Sequence, residues 1–184
     1  MKRFVLAITG ASGVCYAKRL FDFLQSRAEL HMIFSDRGTE LLHLELGLKP
    51  SCFAKENVIV YKNTRINTSI ASGSFPTDGM VIVPASMGTL GRIASGVSGT
   101  LIERVADVTL KEKRKLIVVP REMPLGTIHL KNLLALDQAG AVVMPASPGF
   151  YQGQNTLEDL VDFVVARILD QLGVSQDLMK PYRS

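Results

Sequence analysis

The chain contains no tryptophan and only two cysteines, eight phenylalanines and four tyrosines among its 184 residues. Two thiols cannot build a disulfide framework. Neither Cys15 nor Cys52 stands in a CxxC or Cys/His spacing suited to a metal, so both read as buried or incidental thiols. No apolar run approaches the roughly 20 residues needed to cross a bilayer. Met1 to Ala7 passes straight into a strand pattern without the apolar core of a signal peptide, which predicts a cytoplasmic protein with no membrane partner. Acidic residues are the minority, 17 against 21 Lys and Arg, for a net charge of +4. A basic balance raises nucleic acid as a ligand, yet the one short basic cluster, Lys111 to Lys115, has no aromatics interleaved with it. Small anionic ligands, or cations complementing a helix C-terminus, account for it as well.

Hydrophobic residues make up 47% of the chain and charged ones 21%. Mean hydropathy is +0.20. This length and composition predict one domain over residues 1–184 with a full core, apolar enough that some exposed surface meets other copies in a homo-oligomer. Apolar runs at Phe4 to Ile8, Leu30 to Phe34, Val58 to Tyr61, Met80 to Val83, Leu116 to Val119 and Ala141 to Met144 read as strands, the later ones as parallel strands covered on both faces. Between them, helical periodicity covers Val14 to Leu24, Thr39 to Leu46, Leu90 to Ala94, Leu101 to Leu110 and Ile128 to Ala139. A last helix is expected over Leu157 to Leu172, with Thr156 as N-cap and Asp159 completing a capping box. Alternating strands and helices predict an α/β fold: three layers, doubly wound, around a mostly parallel sheet with right-handed crossovers.

Ligands of such folds sit outside the carboxyl ends of the strands. The run Leu101 to Pro124 gathers Arg104, Lys111, Arg121 and Glu122 around one buried strand, which suggests phosphate handling. The junction Thr9-Gly10-Ala11-Ser12-Gly13 offers backbone N–H groups at a helix start, a natural anion site. It is neither a Walker A loop nor GxGxxG, and Asp36 could stand for a ribose-binding acid of a dinucleotide enzyme. A hydrolase is disfavoured because Ser12 lacks a GxSxG elbow and no histidine follows in triad order. His31, His43 and His129 read as ordinary partly buried histidines. The acidic run Glu158 to Asp162 reads as dipole complementarity in a helix's first turn rather than as a magnesium motif.

Five separated motifs then agree: TGASG at Thr9 to Gly13, SGSF at Ser72 to Phe75, PASMGTL at Pro84 to Leu90, LIERVADVTLKEKRKLIVVPREMPL at Leu101 to Leu125, and PASPGFY at Pro145 to Tyr151. With the closing EDLVDFVVARIL, Glu158 to Leu169, the chain resembles the flavin prenyltransferase family (UbiX/Pad type) over nearly its whole length. The resemblance implies a Rossmann-like flavoprotein that transfers a prenyl group from dimethylallyl phosphate to reduced FMN. The product, prenylated FMN, serves a UbiD-type decarboxylase. It further implies a metal-independent reaction in a homo-oligomer, usually a dodecamer, with active sites shared between subunits.

Matched by motif, the resemblance assigns Gly10, Ala11, Ser12, Ser35, Ser86, Met87, Gly88, Thr89 and Arg121 to FMN. It assigns Arg104, Lys111, Glu122, Tyr151 and Arg167 to the prenyl phosphate, and Ser12, Glu45, Lys111 and Glu122 to catalysis. The residue types suit that chemistry. Fixed cations and a Tyr hydroxyl stabilise a departing phosphate, and a desolvated Glu122 with a raised pKa could exchange a proton. Arg167, set among Val164, Val165 and Ile168, is expected to be buried against an anion or partner. Ile66 stands where many members carry an aromatic, so cation–π cover of the prenyl group is in doubt. An FMN-dependent cysteine decarboxylase and a non-catalytic FMN carrier are the alternatives.

Overall fold

The computed structural model describes residues 1–151 and 153–180. In chain order the elements are β1 (Lys2–Ile8), α1 (Val14–Leu24), β2 (Ala28–Phe34), α2 (Asp36–Leu46), β3 (Val58–Lys62), β4 (Gly79–Ala85), α3 (Met87–Ala94), α4 (Leu101–Lys111), β5 (Leu116–Pro120), α5 (Thr127–Gln138), β6 (Val142–Val143) and α6 (Leu157–Gln171), with short 3-10 turns at Pro50–Phe53 and Ser69–Ala71. The six strands form one sheet in the order β3-β2-β1-β4-β5-β6. Every pairing between them is parallel, not merely most of them.

Several boundaries differ from expectation: β1, β2 and β4 run longer, and α3 starts at Met87 rather than Leu90, capped by Ser86. The second helix begins three residues early, because the Ser35 hydroxyl accepts the Gly38 amide (3.0 Å) and starts the helix at Asp36. The sixth strand is two residues long instead of four, although the Met144 and Ala146 amides go on donating to the Val118 and Pro120 carbonyls of β5 (2.9 and 3.0 Å).

The order reverses between β1 and β4, so α1 and α2 cover one face and α3, α4 and α5 the other, while α6 returns to the face of α1. One core cluster joins α1, Leu42 of α2 and the apolar stripe of α6 to Phe4, Leu6 and Ile8 of β1. The other joins α3, α4 and α5 to Val5 and Ala7, the alternate residues of the same strand. The expected capping box of α6 is present, Thr156 Oγ1 accepting from Asp159 N (3.1 Å) and Asp159 Oδ2 from Thr156 N (3.0 Å).

Glu103, 1% exposed, ties the α3–α4 turn together. Its carboxylate accepts from the Gly99 and Thr100 amides (2.9 and 3.0 Å) and pairs with Arg92. Burial works against its charge, but the Arg92 partner and these amides outweigh that and hold its pKa below the ordinary carboxylate value. Glu103→Ala would strand three donors, Arg92 being half in water, and should destabilise the fold by about 2 to 3 kcal/mol, with Glu103→Gln costing about half as much. Calorimetric melting of the three proteins checks this; an alanine variant that melts with the wild type would contradict it.

Along β1, β2 and β3 a polar chain crosses the sheet. Arg3 grips Glu29 (2.8 and 2.9 Å), Glu29 meets His31 Nε2 (3.0 Å), and His31 Nδ1 meets the Tyr61 hydroxyl (2.9 Å). Phe75 packs edge-on against the imidazole at 5.3 Å. His31 is fully buried rather than partly so, and burial pushes its pKa below 6.5 despite the opposing Glu29. The Arg3 hydrogen bond likewise holds Glu29 below 4.5. Both shifts mean that the folded chain binds fewer protons than the unfolded one. Stability is therefore full above the ordinary histidine value and is lost as pH falls, first through His31 and then through Glu29. The melting temperature should drop from about pH 8 to about pH 5, and His31→Gln should flatten the upper part of that slope. A wild-type melting temperature that does not change with pH would refute this.

Candidate active site

The carboxyl ends of β1, β2, β4 and β5 bring most of the FMN-matched residues together in one chain. The loop Gly10 to Gly13 follows β1, Ser35 follows β2, Ser86 follows β4 and Arg121 follows β5. This is the switch point of the sheet, the place where folds of this class bind their ligands in a crevice between diverging loops. Arg121 Nε donates to the Ser12 carbonyl (3.2 Å), which joins the end of β5 to the first loop. Ser86 caps α3, its hydroxyl accepting from Thr89 N (3.4 Å) and pairing with Thr89 Oγ1 (3.0 Å). The amides of Met87 and Gly88 lie in the first turn of α3, where no intrahelical acceptor exists, and point to an anion.

The helix start after TGASG is arranged differently from expectation. Gly13, in the left-handed region at φ 107°, is the N-cap of α1, and Ser12 is not. Glu45 supplies the anion: its carboxylate accepts from Gly13 N (3.0 and 3.2 Å) and Val14 N (3.0 Å). The α1 terminus is thus already satisfied by an acid of α2, which leaves α3 as the stronger phosphate cradle. Glu45 is therefore no idle surface residue, because it holds the loop that carries Ser12.

Two residues not singled out in the sequence shape this edge. Gly38 lies against the end of β1, and a Cβ there would come 2.4 Å from the Ile8 carbonyl oxygen. Only glycine lets α2 approach closely enough to place Ser35. A glycine inside the helical pattern, DRGTE, was the available signal. Asn63, after β3, receives the start of α4: its carbonyl accepts Leu101 N (2.8 Å) and its side chain accepts Ile102 N (3.0 Å).

The prenyl-phosphate set does not converge within one chain. Arg104 donates to the Ala71 carbonyl (3.3 Å) and pairs with Asp107 (3.0 Å) on α4. Lys111 ends α4, at the amino end of β5, whereas Arg121 and Glu122 follow its carboxyl end. The strand alone separates them by roughly 15 Å. Tyr151 packs its ring edge-on against Phe163 of α6 (5.8 Å), and Arg167 lies one turn further along the same helix. The sheet stands between α6 and α4. Neighbours in the sequence are here separated by a strand or a sheet, so the run Leu101 to Pro124 is not one cluster.

Two environments are corrected as well. Arg167 is exposed and paired with Asp170 (2.6 Å), because its position falls between the buried Ala166 and Ile168 on the outward side of α6. Glu122 is solvent-exposed, its carboxylate accepting from Met123 N (3.0 Å), so this chain by itself does not supply the expected desolvation. Ile66 is 39% exposed in the segment between β3 and β4. Cys15 is half-buried and Cys52 exposed, neither fully inside; His43 is exposed. Among the described residues no group of three His, Cys, Asp or Glu side chains could hold a metal ion.

Residues 1–169 match the Flavoprotein family model. A flavin prenyltransferase UbiX of Methanocaldococcus jannaschii is 46% identical over 178 residues, 97% of each chain. Among solved structures, AnUbiX (PadA1) in complex with FMN and dimethylallyl pyrophosphate superposes with a TM-score of 0.95 at 37% identity, covering 100% of this chain and 98% of that one. A dodecameric FMN-dependent UbiX-like decarboxylase from Escherichia coli O157:H7 gives 0.94, also at 37% identity, covering 99% and 100%. Sequence, sheet order and the loops gathered at the switch point agree over essentially the full length: the chain belongs to the flavin prenyltransferase family.

Proposed function

We propose that the protein transfers the dimethylallyl group of dimethylallyl phosphate to reduced FMN, without a divalent ion, and passes prenylated FMN to a UbiD-type decarboxylase. The observation that carries this reading is the division of the site. Loop amides and Arg121 converge on one crevice, while the cations suited to a leaving phosphate stand on other surfaces of the same fold. The first turn of α3 would hold the FMN phosphate, and Ser12 with the Glu45-held loop would lie toward its ring. Reduced FMN supplies an electron-rich ring that attacks the allylic carbon. Ser12 and Glu45 orient that ring and hold a proton at its reacting edge.

Arg104 and Lys111 of α4, and Tyr151 and Arg167 from the loop before α6 and from α6 itself, reach the crevices of neighbouring subunits and bind the phosphate there. A homo-oligomer, on the dodecameric pattern of the E. coli relative, satisfies that geometry. The surface of α5 and the turn before it supports this, since Met123, Ile128, Leu130 and Leu134 are all more than half exposed. Exposed apolar residues on and just before one helix fit contact with other subunits. Arg104 and Arg167, paired within their own helices by Asp107 and Asp170, are kept extended and in place for that contact.

Anaerobic incubation with FMN, a reductant and dimethylallyl phosphate, followed by mass analysis of the flavin, tests the activity. A flavin heavier by one prenyl unit is expected. FMN returned unchanged, with the donor intact, would favour a carrier and defeat the proposal.

A further inference from the structure

We infer that Thr9 is a positioning residue that sets the spacing and orientation of the two loops forming the FMN crevice; this rests on the reading of that crevice given above. Thr9 is 0% exposed, one of few fully buried polar side chains. Its hydroxyl donates to the Pro84 carbonyl (2.8 Å) and accepts from the Ser86 amide (2.7 Å). Its own amide also donates to the Pro84 carbonyl (3.2 Å).

The place of these bonds gives them their consequence. The β1–β4 ladder ends at the pair Ala7 and Ile82, and β4 carries an irregularity between Ile82 and Ala85 in its pairing with β5. Beyond that point a single backbone bond, from Thr9 N to the Pro84 carbonyl, is what remains of the pairing described between the two segments. The Thr9 hydroxyl reinforces that bond and extends it to Ser86, bracketing Ala85 by holding the residue on each side of it. Ser86 is the N-cap of α3. Fixing its amide fixes the direction of its hydroxyl and of the Met87 and Gly88 amides that follow. A backbone donor left without an acceptor would turn toward another partner and carry the cradle with it.

Thr9→Val keeps the shape and removes both hydrogen bonds, whereas Thr9→Ser keeps the hydroxyl and removes the methyl. Thr9→Val should weaken FMN binding by about tenfold, read by flavin fluorescence titration, with a matching rise in KM for FMN and a smaller change in kcat. Thr9→Ser should stay within about threefold of wild type in both. Should Thr9→Val fail to fold, Thr9→Cys, whose thiol is a weak acceptor, takes its place, with a loss of about threefold or more expected. A folded Val or Cys variant that binds FMN as tightly as wild type would overturn the role of Thr9. So would a serine variant as impaired as valine, since packing by the methyl would then be the cause. Wild-type protein that fails to bind FMN would overturn the crevice reading together with this inference.

Discussion

Lys111→Ala is expected to slow prenyl transfer by about a hundredfold or more, while FMN affinity stays that of the wild type. The leaving phosphate gains charge as the allylic bond breaks, and a fixed ammonium stabilises that charge more than it stabilises the bound donor. Lys111 stands at the amino end of β5, the far end of the strand from Arg121 and the FMN crevice. Its loss should therefore not be felt by the flavin in its own subunit. A second measurement reads the sharing of sites directly. In Gly10→Val the new side chain would collide with Arg37, whose Cβ lies 2.6 Å from the position of an added Cβ, so the crevice of that variant should be damaged. Neither variant alone should be active. Mixed oligomers from co-expression would carry intact crevices facing intact lysines at about a quarter of their sites, and activity should return to that extent. Full activity in Lys111→Ala, or no recovery in the mixture, would show that this lysine does not serve a neighbour's crevice.

Glu122→Gln should lower kcat by about a hundredfold with binding of FMN and donor retained. Joining a prenyl carbon to an aromatic position displaces a ring proton, and a phosphate departs more readily when it is protonated. A carboxyl group between the two can give one proton and accept the other, which an amide of the same size cannot. Glu122 directly follows Arg121 at the carboxyl end of β5, the edge where the flavin is proposed to bind. In the isolated chain it faces solvent; the neighbouring subunit and the donor must enclose it before it acts. The pH–rate profile of the glutamine variant should lack one limb present in the wild type. Wild-type turnover in Glu122→Gln would remove the proton role and leave this side chain a spacer.

Period and spacing alone determined the order of elements, the parallel α/β class and even the capping box of α6, because those depend on interactions over a few residues. The family resemblance also named the loops at the switch point, which the glycine-rich turn after β1 could not have done by itself. What the sequence could not reveal is distance between elements. Lys111 and Arg121 are ten positions apart in one motif, yet a strand holds them at opposite ends. Arg167 looked core-facing among its apolar neighbours, but the phase of α6 against the sheet turns it outward. Glu45 looked like a surface residue until the packing of α2 carried its carboxylate to the start of α1. Gly38 and Thr9 gained meaning only when β1, α2 and β4 met, because close approach and crossed hydrogen bonds are properties of segments far apart in the chain. Tertiary structure alone decided that the loops matched to FMN gather at one switch point while the cations matched to the phosphate do not, for a six-stranded sheet lies between the two helices that carry those cations.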